Sequence, residues 1–333
     1  VLPEPLAILG WARWLGLITC FAGAAWLDHK YRRVPNSYWI SWAKVAIFLW
    51  ALELMVREAG WEIWATALAA VALASMSVIG RPTLKDIIAG NFMDVCVSMT
   101  YLIGLSGIVM GALSYGQVSP VDVLIGEATS EASLWWATVS VLALIWVFEM
   151  MWKVRLIHGG ADAKALMWVA LLMPSWSTIP PLVYSDKWGE SIIHMPPAIS
   201  LLIWGALAFL AIPPLFILQN LRRGNITSLQ DLGQAWHAQK VELDNIAGAH
   251  VWILDEIFDK ADGSRSIRSR KRPPSKTPTE EQMVQHINDL RELGAESAWV
   301  SFKWPLLTFL FFAIIPMMLF GDPFTFIMLP LLG

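Results

Sequence analysis

The stretch LAILGWARWLGLITCFAGAAWLDHKYRRVPN, residues 6–36, is a mostly apolar run that ends in Asp28 and a cluster of bases. About 20 such residues, wound as a helix, cross the hydrocarbon core of a bilayer. The run is too long for a removed signal peptide and lacks the basic start and small-residue cleavage site of one, so it reads as a span.

The rest of the chain repeats the pattern. Apolar residues make up 56% of the 333 and charged residues 15%, whereas soluble domains carry about 25% charge. A net charge of −3 points neither to nucleic acid nor to a strongly acidic surface. Eight candidate spans are expected, at roughly 6–27, 37–55, 61–80, 92–114, 132–151, 163–184, 197–218 and 304–320. The fold class is thus an all-α polytopic membrane protein with about eight transmembrane helices. Its domains are a core over 1–218, a small cytoplasmic α/β-like insertion over 219–303, and a last span with an apolar tail over 304–333. The tail GDPFTFIMLPLLG is too short to cross and reads as re-entrant or interfacial. Trp61, Trp64, Trp135, Trp136 and Trp152 sit near span ends, where an amphipathic ring suits the headgroup layer.

Lys and Arg set the orientation. Lys30, Arg32 and Arg33, then Arg81 and Lys85, then Lys153, Arg155 and Lys164, and finally the segment after Leu218 alternate onto one side. The opposite loops hold only Arg57 and Lys187. The positive-inside rule makes the basic side cytoplasmic and the N-terminus external, in the plasma membrane.

Within the insertion, HVWILDEIF alternates like a strand, and DGSRSIRSRKRPPSKTP reads as a flexible basic loop suited to anionic lipid. A helix is expected next, with Thr277 as N-cap, Pro278 at the first helical position, Glu280 as capping-box partner and Gly294 as the stop.

Familiar soluble chemistry finds no motif. Cys20 and Cys96 both lie in expected spans, and no CxxC occurs. The six His show no metal-ligand spacing, and phosphate-loop and nucleophile-elbow patterns are missing. No metal and no cofactor is expected.

Two carboxylates remain. Asp28 ends the first span and Asp162 opens the sixth, in IHGGADAKALMWVALL, residues 157–172. Four expected spans separate them, and an even number of crossings returns the chain to one face. Two close carboxylates at a membrane boundary share a proton, so one can act as general base while the other acts as acid. Gly159 and Gly160 remove bulk where an extended substrate backbone would approach, and permit dihedrals closed to other residues. Each aspartate also has a plain reading, Asp162 as a helix N-terminal residue and Asp28 as an interfacial charge paired with Lys30 or Arg32. Residue pattern alone leaves both readings open.

Gly159-Gly160-Ala161-Asp162 followed by AKAL resembles the G-x-G-D motif of the type IV prepilin peptidase and archaeal preflagellin peptidase family. These are membrane aspartyl proteases of the GxGD type. Asp28-x-x-x-Arg32-x-Val34-Pro35-Asn36 resembles the same family's segment after the first span. Ala161 stands where the family more often has glycine. The resemblance implies that Asp28 and Asp162 form the catalytic dyad and that Arg32, Pro35, Asn36 and Lys164 support it. It implies cleavage of short basic leader peptides from pilin-like or archaellin-like precursors at the cytoplasmic face. It also implies an archaeal-type enzyme without methyltransferase activity, since the CxxC module of bacterial relatives is not found. Implied partners are those precursors and membrane lipid, no nucleic acid, with self-association open.

Departures from the pattern are an inserted hairpin over 87–151 and the 219–303 insertion. The hairpin brings Asp86 and Asp94 forward as rival first aspartates, though only Asp28 has the R-x-V-P-N context. Lys164 reads as a partner of a carboxylate or lipid phosphate, or as a snorkelling lysine. His29 and His158 flank the two motifs, and Pro174, Pro180 and Pro181 kink or end the sixth span. Alternative functions are a presenilin-like or signal-peptide-peptidase-like protease, a proton- or cation-coupled transporter, and a silent scaffold for pilin-like helices. Leu27 and GGAD stand where the first of these usually has a tyrosine and GLGD, and no internal repeat supports the transporter.

Overall fold

The computed structural model describes residues 4–124, 126–157, 159–179, 182, 194–246, 248–261, 263–274 and 278–326. Two compact units emerge, one of residues Val1–Ala206 and Pro305–Gly333, the other Leu207–Trp304. The chain runs α1 (Glu4–Tyr31), α2 (Asn36–Val56), α3 (Trp61–Met76), α4 (Leu84–Ile88), α5 (Phe92–Tyr115), α6 (Pro120–Leu124), α7 (Ser130–Lys153) and α8 (Gly160–Leu172). A 3-10 turn (Trp176–Thr178), α9 (Pro197–Leu210), α10 (Ile212–Arg222) and α11 (Leu229–Ala235) follow. Then come β1 (Gln239–Glu242), β2 (Val251–Ile253), β3 (Asp255–Asp259), β4 (Arg265–Ser269), α12 (Glu280–Glu292), β5 (Ser297–Phe302) and α13 (Leu306–Phe320).

Five of these helical runs are long and apolar enough to cross a membrane: Glu4–Tyr31, Asn36–Val56, Asp94–Tyr115, Ser130–Lys153 and Pro197–Arg222. The last of them is interrupted at Ala211, because Pro213 and Pro214 lack the N–H groups that would continue the ladder. Two further apolar helices, α3 and α13, are shorter. The expected sixth span over 163–184 is not a helix of that length: α8 has 13 residues and stops before Pro174. Pro180 and Pro181, like residues 327–333 of the tail, lie outside the described residues.

The brevity of α8 is matched by its burial. Ala163 and every residue from Ala165 to Leu172 are buried, enclosed by α1, α2, α3, α7 and α13. A helix shielded on all sides has no need to match the bilayer thickness. Elsewhere small residues bring helices close: a Cβ on Gly104 of α5 would lie 2.6 Å from the Ala69 Cβ of α3, and one on Gly107 would lie 2.5 Å from the Ala65 Cβ. Such contacts drive association where lipid is as apolar as the side chains.

One ion pair is sealed inside the helical unit. Arg13 of α1 has no exposed surface and donates to Glu53 of α2 at 2.6 Å and to Thr178 Oγ1 at 2.5 Å. Glu53 takes a second bond, 2.9 Å, from Arg57, whose guanidinium also reaches Ser177 at 2.8 Å. A buried arginine is tolerated only with such partners. At the other end of the same hairpin, the chain leaves α1 through Arg32, whose φ of 53° is left-handed, and enters α2 at Pro35. Tyr38 bonds the Cys20 carbonyl at 2.6 Å and closes the hairpin.

The second unit holds an antiparallel sheet in the order β1-β5-β2, with Gln239 opposite Val300 and Val251 opposite Phe302. HVWILDEIF is two strands, β2 and β3, separated at Leu254. Part of the basic segment is not a free loop: β4 pairs with β3, Asp255 opposite Ser269 and Asp259 opposite Arg265. Acids on β3 meet bases from the β4 arm, as in Asp259–Arg265 at 3.6 Å and Glu256–Arg270. Helix α12 is capped by Thr279 with Gln282 as its box partner, two residues beyond the expected start, and Thr277 lies outside the described residues. Gly294, at φ 82°, follows its end as expected. Asp255 is buried and accepts the Trp299 N–H at 2.8 Å and the Ser269 hydroxyl. Burial pushes its carboxyl above the usual carboxylate value despite those two bonds.

Two outcomes are expected. Glu53→Gln strands the Arg13 charge and should cost about 3 kcal/mol in unfolding measurements in detergent, whereas Arg13→Met with Glu53→Leu should recover most of that loss. Because folding raises the affinity of Asp255 for a proton, its contribution is fully present below the unfolded value of about 4 and is lost as pH rises through the folded one. Hydrogen-exchange protection of β5, corrected for intrinsic rates, should therefore fall with rising pH, and Asp255→Asn should flatten the fall.

Candidate active site

Asp28 lies in the last turn of α1 and Asp162 in the first turn of α8, both partly exposed. Helix α1 packs against α8, and the Asp28 charge acts directly on the Asp162 carboxyl. Asp86 and Asp94 do not take that place. The Asp86 side chain accepts from Thr83 at 2.5 Å in the cap of α4, and Asp94 sits in the first turn of α5.

Gly159 is the N-cap of α8, so Asp162 falls at the third helical position, its backbone N–H on the Gly159 carbonyl at 3.1 Å. The carboxylate folds back over that glycine: a Cβ on Gly159 would lie 2.1 Å from Asp162 Oδ2. Gly160 is similarly confined, with the Trp152 ring 3.0 Å from where its Cβ would be. The expectation that these glycines supply unusual dihedrals does not hold, since Gly159 has φ −88° and Gly160 is helical. Their requirement is space. Ala161 is partly buried and packs against the core.

The two motifs touch through Asn36 and Lys164. Lys164 Nζ donates to Asn36 Oδ1 at 2.8 Å, and Asn36 Nδ2 donates to the Val78 carbonyl at 3.2 Å. Lys164 also lies 5.5 Å from the centre of the Trp152 ring. It therefore joins α8 to α2 instead of pairing with a carboxylate. Pro35 is the N-cap of α2, and Val34 beside it is buried, so the V-P-N turn anchors this joint.

Arg32 and His29 are the cations that act on Asp28. Among the described residues, neither Asp28 nor Asp162 accepts a hydrogen bond or forms a close ion pair through its side chain. Carboxyls without fixed hydrogen-bond partners are suited to taking and giving protons. His158 lies outside the described residues. No group of His, Cys, Asp and Glu suited to a metal ion occurs among the described residues. Sequence reading missed Arg13, Glu53 and Thr178, which brace the far ends of the same elements. An arginine in mid-span was the available signal.

No protein-family model matches the chain, and no curated protein matches it.

The Lys164–Asn36 bond should be measurable. A double-mutant cycle of Lys164→Met and Asn36→Ala should give a coupling of about 1 kcal/mol, reduced from that of a buried charged bond by solvent. A coupling of zero would remove the joint.

Proposed function

We propose that this protein is a membrane aspartyl endopeptidase of the prepilin and preflagellin peptidase type. It cuts short basic leader peptides from pilin-like or archaellin-like precursors at the cytoplasmic face of the plasma membrane. The observation that carries the reading is the packing of α1 against α8, which brings the end of one motif's helix, with Asp28, to the helix whose first turn holds Asp162 of the other. The basic loops gathered at that end support a cytoplasmic location.

In this reading the pair holds one proton. The ionised carboxylate removes a proton from water as the oxygen adds to the peptide carbonyl carbon, and the protonated carboxyl donates to the carbonyl oxygen. The tetrahedral intermediate then collapses: one of its hydroxyls returns a proton to the carboxylate that donated one, the C=O bond re-forms, the C–N bond breaks, and the leaving nitrogen takes the proton held by the general base. Neither aspartate is assigned to one role, because the two titrate together. Gly159 keeps clear the space that the Asp162 carboxylate occupies. Lys164, Asn36 and Pro35 hold α8 and α2 in register, and Arg32 biases the charge on Asp28.

The test uses the full chain in liposomes with a synthetic precursor bearing a basic leader and a hydrophobic helix. Asp28→Asn and Asp162→Asn, made separately, should each lower cleavage by at least about a hundredfold. Full activity in either variant would falsify the dyad. Gly159→Ala should give an intermediate loss with normal unfolding. The pH profile should be bell-shaped, since one carboxyl must be ionised and the other protonated. Counter-ion flux without cleavage would favour a transporter.

A further inference from the structure

Helix α11 of the second unit leaves an apolar stripe uncovered. Leu229, Leu232 and Trp236 are 89%, 45% and 51% exposed, and their spacing puts all three on one face of the helix. Gly233 lies among them, and a Cβ added there would meet nothing within 4 Å. The opposite face is already engaged. Ala235 is buried with Ala238, Leu254 and Trp299, and Gln234 Nε2 donates to the Arg270 carbonyl at 3.0 Å. A surface helix ordinarily turns its large apolar side chains inward. This one turns them out.

The position of the stripe is fixed by α10. Asn220, in the last turn but one residue of that helix, is buried, and its Nδ2 donates to the carbonyls of Ala235 and Ala238 at 3.1 and 2.9 Å. Its Oδ1 accepts from Asn225 Nδ2 at 3.0 Å, which closes the turn between the two helices. The returning chain is fastened to α10 as well, through Phe216 against the rings of Phe302 and Trp304 at 6.1 and 6.2 Å. Helix α10 ends the apolar run Pro197–Arg222, which is long enough to cross a membrane, and its polar end is marked by the exposed Arg222 and Arg223. The stripe is therefore hydrogen-bonded to the end of a membrane-length run.

We propose that α11 is an interfacial anchor: Leu229, Leu232 and Trp236 enter the headgroup layer of the bilayer that α10 crosses and hold the second unit against the membrane surface. Two features favour phospholipid over a protein partner. Three side chains fall far short of the roughly 20 residues a side that a stable protein interface uses, whereas a few apolar groups suffice to settle a helix already tethered to the bilayer. The end of the stripe is a tryptophan, whose amphipathic ring suits the headgroup layer. Its indole N–H donates to the Gly233 carbonyl at 3.1 Å, so the ring carries no unmet donor into lipid. The nearby acid is also spoken for, since Asp231 accepts from the Thr227 and Ser228 hydroxyls in the cap of α11. The anchor is independent of the carboxylate chemistry and stands whether or not Asp28 and Asp162 cut a peptide.

The test places a nitroxide on the full chain in phospholipid vesicles, with the exposed Cys96 changed to Ser and the buried Cys20 kept. Labels go on Leu229→Cys and Leu232→Cys, and on Lys260→Cys, an exposed residue beyond β3, as the aqueous reference. At both stripe positions relaxation by oxygen should be at least about threefold greater, and relaxation by a water-soluble nickel chelate at least about threefold smaller, than at Lys260→Cys. Trp236→Glu, an exposed change that leaves the core of the unit intact, should move the Leu232→Cys label toward the reference values. Nickel access at the stripe equal to that at Lys260→Cys places α11 in water and overturns the proposal. Exclusion of both reagents shows cover by protein, from this chain or another copy, and overturns it too; a Leu232→Cys label unmoved by Trp236→Glu removes the tryptophan from the anchor.

Discussion

Glu53 holds Arg13 with one carboxylate oxygen and Arg57 with the other, and the arginines reach on to Thr178 and Ser177. Through these bonds α1, α2 and the turn beyond α8 are locked together inside an apolar bundle. The arginine is stable there only because every helix in the lock supplies a polar partner, so the elements cannot separate without exposing a charge. At the opposite ends of the same elements lie Asp28, Asn36 and Asp162. Fixing one end of three helices restricts what the other ends can do, and the polar joint of Lys164 with Asn36 completes the restraint.

The short helix α8 turns that restraint into a site. Its 13 residues are enclosed by its neighbours, so its first turn is held by packing as well as by hydrogen bonds. Gly159 then leaves room for the Asp162 carboxylate to lie back over the N-cap. A carboxylate near a helix N-terminus is ordinarily explained by the macrodipole. Here the end of α1 that carries Asp28 also packs against α8, which capping does not require.

Part of this was legible in the sequence. The four apolar runs expected between Asp28 and Asp162 are the helices α2, α3, α5 and α7, although α3 is shorter than a full span. Apolar periodicity located those helices to within a few residues, because a run of membrane length admits little else. The truncation of α8 was not legible, since LMWVALLMP reads the same whether a helix is buried in protein or in lipid; Pro174 was the only mark of its end. Arg13 went unread because a single charge does not interrupt an apolar run. In the second unit the cross-strand pairing of acidic β3 with basic β4 gave structure to a segment whose composition suggested a loop. The space filled by Asp162 beside Gly159 is a three-dimensional fact that no spacing rule encodes.

The central claim is that Asp28 and Asp162 behave as one titrating pair. It is tested most directly by following the Asp162 side-chain carboxyl, labelled with ¹³C, through a pH titration of the reconstituted protein and of its Asp28→Asn variant. The pair predicts a two-step titration at Asp162 that becomes a single, displaced step when Asp28 is neutralised. An Asp162 curve that is the same in both proteins would contradict it.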